Sequence, residues 1–169
     1  MNATLEMSAP VEKSLVPPSA KSRILLVDDD PAIRQILLRL LVEEGYRVST
    51  AAHGAEALAL IDATKFDLVL LDLNMPIKGG WETYEQLSTL RPLLPVILIT
   101  ARPNQFFSAV ASGVGALLEK PLDFVQLLST IQALLKEPDE VRLARWSGRS
   151  STFCYIPSNA DEPERGRGN

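Results

Sequence analysis

The sequence predicts an α/β fold of five strand–helix units, (βα)5, in which a parallel sheet is covered by helices on both faces. Five short runs of Leu, Ile and Val recur along the chain, and their apolar character is nearly continuous rather than alternating, as strands buried on both faces require. Longer segments with helical spacing of apolar residues separate them. Gly, Pro or Asp punctuates most of the junctions.

Arg23 to Val27 is the first strand. Asp30 is placed to cap the helix that follows, Pro31 suits its first turn, and Ile33, Ile36, Leu37, Leu40 and Leu41 form one stripe that Gly45 ends. Arg47 to Ala51 is the second strand, followed by a helix near Ala55 to Ala63, with His53 read as a surface residue just before it. Asp67 to Asp72 and Val96 to Thr100 are the third and fourth strands, followed by helices near Trp81 to Leu90 and Asn104 to Ser112. Ala116 to Glu119 is the fifth. After Pro121, the spacing of Phe124, Leu127, Leu128, Ile131, Leu134 and Leu135 gives the clearest helix of all.

With 169 residues, 46% apolar and 22% charged, the chain has material for one domain and is neither collagenous nor wholly disordered. A net charge of -4 argues against general attraction to nucleic acid or anionic membrane. Cys154 and His53 are the only residues of their kinds, which excludes disulfide frameworks and Cys/His zinc sites. Apolar stretches such as Leu93 to Ile99 fall well short of the ~20 residues of a membrane span, and the start of the chain has no signal-peptide pattern, so a cytoplasmic location is expected. Residues 1–22 read as a disordered leader, 23–137 as the folded unit and 138–169 as a mostly disordered tail. In that tail Val141, Leu143, Trp146, Phe153, Tyr155 and Ile156 are the apolar candidates for docking, and Arg142, Arg145 and Arg149 read as a solvated basic stretch.

In open parallel sheets, ligands bind beyond the carboxyl ends of the strands. The first strand runs into Asp28-Asp29-Asp30, the third ends at Asp72, the fourth at Thr100 and the fifth at Glu119-Lys120-Pro121. Carboxylates converging on one edge repel unless a cation joins them, and an all-oxygen ligand set selects Mg²⁺ or a similar hard ion. Carboxylate, divalent ion, hydroxyl and lysine together suit phosphoryl transfer. Asp30 is read as a helix cap, outside this group.

The segments Ile24-Leu-Leu-Val-Asp-Asp-Asp-Pro, Leu70-Leu-Asp-Leu-Asn-Met-Pro with Gly80 beyond it, Ile97-Leu-Ile-Thr-Ala and Glu119-Lys-Pro resemble the receiver domain of bacterial two-component response regulators, in a stand-alone, chemotaxis-receiver-like form. The resemblance covers about residues 22–137 and implies a flavodoxin-like, doubly wound sheet with strand order 2-1-3-4-5. It implies that Asp72 accepts a phosphoryl group, that Asp28, Asp29, Asp72 and the backbone carbonyl of Asn74 hold Mg²⁺, and that Thr100 and Lys120 contact the phosphoryl group. It implies a cis Lys120-Pro121 bond. The implied partners are a sensor histidine kinase or histidine phosphotransfer protein and a downstream protein target; direct DNA binding is not expected, because residues 138–169 have no room for a winged helix or homeodomain-sized unit, and neither is membrane contact. The protein is expected to assist its own phosphorylation and dephosphorylation rather than to act as an enzyme on other molecules. Two alternatives stay open: a receiver-like scaffold that is never phosphorylated, and a Mg²⁺-dependent phosphatase with an aspartyl-phosphate intermediate. One position departs from the family pattern. Leu117 stands three residues before Lys120, where many receivers carry the aromatic ring that reports activation. Phe106 and Phe107, on the fourth helix, read first as packing residues and are the aromatics available for a different readout, while Arg102, two residues after Thr100, is a long cation placed to affect water access to the acyl phosphate.

Overall fold

The computed structural model describes residues 22–76, 79–150 and 152–158. Six strands form one parallel sheet in the order β2-β1-β3-β4-β5-β6: β1 (Arg23–Val27), β2 (Arg47–Ala51), β3 (Leu68–Asp72), β4 (Val96–Thr100), β5 (Ala116–Glu119) and β6 (Cys154–Ile156). The doubly wound, flavodoxin-like arrangement is the expected one, extended by a strand at the β5 edge.

Side-chain alternation along the strands sorts the core into two layers. Leu25, Val27, Val69, Leu71, Leu98 and Leu117 face a layer formed by α2 (Gly54–Ala63), α3 (Gly80–Leu90) and α4 (Phe106–Ser112). Ile24, Leu26, Leu70, Ile97, Ile99 and Leu118 face α1 (Pro31–Glu43) and α5 (Phe124–Lys136). Both layers are closed to water, which explains why these strands read as continuous apolar runs.

Local chemistry fixes the helix starts. The Asp30 carboxylate accepts from the Ala32 and Ile33 amides at 2.8 and 3.3 Å, and Asp123 caps α5 in the same way. His53 is exposed and caps α2, its Nδ1 accepting from the Glu56 amide at 3.3 Å. The fourth helix starts later than its sequence pattern predicts: a 3-10 turn occupies Pro103–Gln105, with Asn104 off helical geometry, and α4 begins at Phe106.

The expectation of a mostly disordered tail is corrected for residues 139–146 and 154–156. Asp139–Trp146 is a helix, α6, and Cys154–Ile156 is β6, paired to β5 in parallel register. Charge pairing and edge burial order this segment. Arg145, only 5% exposed, forms a bidentate ion pair with Glu137, and Arg142 donates at 2.8 Å to the Leu134 carbonyl in the last turn of α5, which also accepts from the Glu137 amide at 3.3 Å. Arg145 and Arg142 are therefore structural here rather than solvated. The expected leader, up to residue 21, and residues 159–169 lie outside the described residues.

Candidate functional site

Strand order reverses at β1: β2 lies on one side and β3 on the other, so the loops leaving β1 and β3 diverge and open a crevice between them. The strand register places Val27 beside Leu71, so Asp28 and Asp72 emerge at neighbouring heights. They are 1% and 2% exposed, and Thr100, at the end of β4, is 0% exposed.

Carboxylate oxygens of Asp28, Asp29 and Asp72 all lie within 4.8 Å of one another. Lys120 reaches in from the loop after β5, its Nζ 3.3 Å from Asp28 Oδ2 and 3.2 Å from Asp72 Oδ2. The peptide bond that follows it is cis. Asp28 Oδ1 accepts from the Asp30 amide at 2.9 Å, and Asp72 Oδ1 accepts from the Asn74 amide at 2.9 Å. Each buried carboxylate thus has one oxygen held by backbone and one turned toward the ammonium.

Desolvation raises the Asp28 pKa above its ordinary 3.8, although the Asp30 amide and Lys120 pull the other way. Burial alone would lower the Lys120 pKa, but Asp72 and Asp28 outweigh it and hold the ammonium above 10.5. The site holds three carboxylates against one ammonium, which contacts two of them. The remaining formal excess of negative charge, the all-oxygen donor set and the exposed position of Asp29 at the rim fit a hard divalent cation.

Thr100 joins the site through Asn74. The Thr100 hydroxyl donates to Asn74 Oδ1 at 3.2 Å, and the Ala101 amide donates to the same oxygen at 2.8 Å. The Arg102 amide in turn donates to Thr100 Oγ1 at 3.0 Å. Arg102 engages Thr100 through its backbone, while the residue itself is exposed. The side chain of Asn74 is a feature that sequence reasoning missed. So is Arg34, whose guanidinium donates to the Asp28 carbonyl at 2.6 Å and buttresses the turn; its signal is a cation on the first turn of the helix that leaves the acidic loop.

Gly80 explains the spacing between Asp72 and α3. A Cβ there would lie 2.4 Å from Leu73 Cα and 2.5 Å from the Asp72 carbonyl oxygen, so only glycine lets this helix start against the end of the strand that carries Asp72.

Fold and site together define a switch-point acidic crevice in a doubly wound receiver-type sheet. The chain matches the response regulator receiver domain family over residues 24–132, most of its length, and belongs to that family. It is 40% identical over 122 residues to the response regulator MprA of Mycobacterium sp. (strain KMS), and 35% identical over 127 residues to the transcriptional regulatory protein GlrR of Escherichia coli (strain K12). Those matches cover 70% and 74% of this chain but 53% and 29% of the relatives, so the chain spans about half or less of their length. Among solved structures, a CheY-like receiver domain protein from Methanospirillum hungatei JF-1 superposes with a TM-score of 0.66 at 35% identity, covering 73% of this chain and 98% of that one. The response regulator TrrA from Thermotoga maritima, in complex with Mg²⁺-BeF, superposes with a TM-score of 0.62 at 35% identity, covering 67% and 98%.

Proposed function

We propose that the protein is a phosphorylation-controlled receiver in which Asp72 takes a phosphoryl group from a phosphohistidine on a partner kinase or phosphotransfer protein. The observation that carries this reading is the placement of Asp72: a carboxylate 2% exposed, one oxygen anchored to the Asn74 amide and the other facing Lys120, at the mouth of the crevice. An Asp72 carboxylate oxygen attacks phosphorus, the O–P bond forms as the P–N bond breaks, and the electron pair leaves with the imidazole nitrogen. The ammonium of Lys120 faces the charge that develops on the phosphoryl oxygens. Asp28, Asp29 and Asp72, with the backbone carbonyl of Asn74, would hold Mg²⁺, which when bound supplies further charge neutralisation. Thr100, now tied to Asn74 and the Arg102 amide, is the hydroxyl nearest to being drawn toward a phosphoryl group on Asp72. Signalling then follows from a shift between two arrangements of the segment after β4.

Incubation of the full chain with a small-molecule phosphodonor, with Mg²⁺ or with a chelator, tests the reading by intact mass. A single phosphoryl increment that requires the divalent ion supports it. No increment in saturating Mg²⁺, or an equal one in chelator, contradicts it.

A further inference from the structure

Leu117 is fully buried in the sheet, and a leucine held there has no polar tip or ring to swing. The aromatic side chain on that face comes instead from the next strand. Leu117 pairs in register with Tyr155 of β6, and parallel pairing directs the two side chains to the same face, that of α4. The Tyr155 ring meets Phe106, the first residue of α4, edge-on at 5.0 Å between centroids, and Phe153 meets the Phe106 ring at 5.7 Å.

Tyr155 is also gripped from the site side. Its hydroxyl donates to Glu119 Oε1 at 2.7 Å, and the Ser158 amide donates to Glu119 Oε2 at 3.3 Å. Glu119 immediately precedes Lys120 and pairs in register with Thr100, and the Lys120 amide donates to the Thr100 carbonyl at 2.7 Å. On the other side, Thr100 is bonded to the Arg102 amide, which leads through the turn at Pro103–Gln105 into Phe106. The two side chains expected to contact a phosphoryl group are thus joined by short stretches of backbone to the two that hold Tyr155.

We propose that β6 is a built-in reporter strand: Tyr155 supplies in cis the ring that Leu117 replaces, and phosphorylation of Asp72 loosens the strand from β5. This rests on the phosphoacceptor reading above. When Thr100 leaves Asn74 and Arg102, the turn after β4 shifts and carries Phe106 away from Tyr155. When Lys120 turns from Asp28 to the phosphoryl oxygens, the backbone of Glu119 follows it. Leu117 stays where it is, locked at 0% exposure, whereas β6 is three residues long, lies at the sheet edge and leaves Tyr155 36% exposed. The strand is therefore the element that yields first. Its release uncovers the edge of β5.

The test is hydrogen exchange on the full chain in Mg²⁺ with and without beryllofluoride, a phosphoryl mimic, with native mass spectrometry to count the adduct. Exchange at residues 154–156 should accelerate about tenfold or more, the size set by losing a hydrogen bond to a carboxylate, while β1 and β3 stay protected. Tyr155→Phe should accelerate the same amides by about tenfold without the mimic, since it removes only the hydroxyl. Thr100→Ala should take up the mimic yet show a smaller acceleration at 154–156 on its addition than the parent, since only the Lys120–Glu119 route remains. An adduct with unchanged exchange at 154–156, or equal acceleration in Thr100→Ala, overturns the reporter strand alone. Absence of any adduct overturns the phosphoacceptor reading and the reporter strand with it.

Discussion

At Lys120 two effects oppose each other: burial disfavours the ammonium, and the paired carboxylates of Asp72 and Asp28 favour it more strongly. The folded chain holds this proton more tightly than the unfolded chain does. The resulting stability is present in full below about 10.5 and is lost as pH rises through the raised value. Lys120→Ala should destabilise the metal-free protein at neutral pH by about 1–2 kcal/mol, a figure held down by partial solvent exposure of the pair, and Mg²⁺ should recover part of the loss. Urea titrations with and without the ion check this; an unchanged midpoint in chelator contradicts it. Asp28 has the same sign in a lower pH range. Its raised pKa means that the folded state prefers the protonated form in the range just above 3.8, so protons compete with a divalent ion there. Mg²⁺ affinity should weaken as pH falls toward that range, which calorimetric titration across pH reads directly. The positions of these residues were legible in the sequence, because each ends a strand of unmistakable apolar character. The role of the Asn74 side chain was not, since an amide that gathers Thr100 and Ala101 across 26 and 27 residues leaves no local pattern.

The βα elements carry the clearest record of the fold. β1, β3, β4 and β5 are closed on both faces, so hydrophobicity alone marks them, and Asp30 and Asp123 mark helix starts through capping. The start of α4 was less legible because Pro103 marks a helix start in the sequence while the chain first makes a 3-10 turn through Gln105. β6 was not legible as a strand, although Phe153, Tyr155 and Ile156 stood out as apolar residues that could dock. A three-residue strand has no period to detect, and its partner strand lies far back in the sequence. Gly80 ties one helix to the strand that bears Asp72, and the physical constraint is tight. Gly80→Ala should cost roughly 1–3 kcal/mol, because the added methyl meets backbone that has nowhere to move. Thermal denaturation measures it, and a variant as stable as the parent would remove the close-approach explanation.

On the scale of the whole molecule, the described residues after α5, 137–150 and 152–158, belong to the fold. Arg145 and Glu137 are the pair on which that packing turns, and α6 abuts Gly113, where a Cβ would come within 2.9 Å of the Arg145 carbonyl oxygen. Arg145→Ala leaves Glu137 poorly solvated without its partner and should lower unfolding free energy by about 3 kcal/mol, read from denaturant midpoints. The sequence showed only a run of arginines; which acid each one meets depends on how the chain turns back after α5. The function proposed for the molecule rests on Asp72, and site localisation tests it most directly. After phosphodonor treatment in Mg²⁺, peptide mass mapping of the parent and of Asp72→Asn should place the phosphoryl group on the peptide containing residue 72 in the parent and find none in the variant. Full labelling of Asp72→Asn at any other residue would contradict the account.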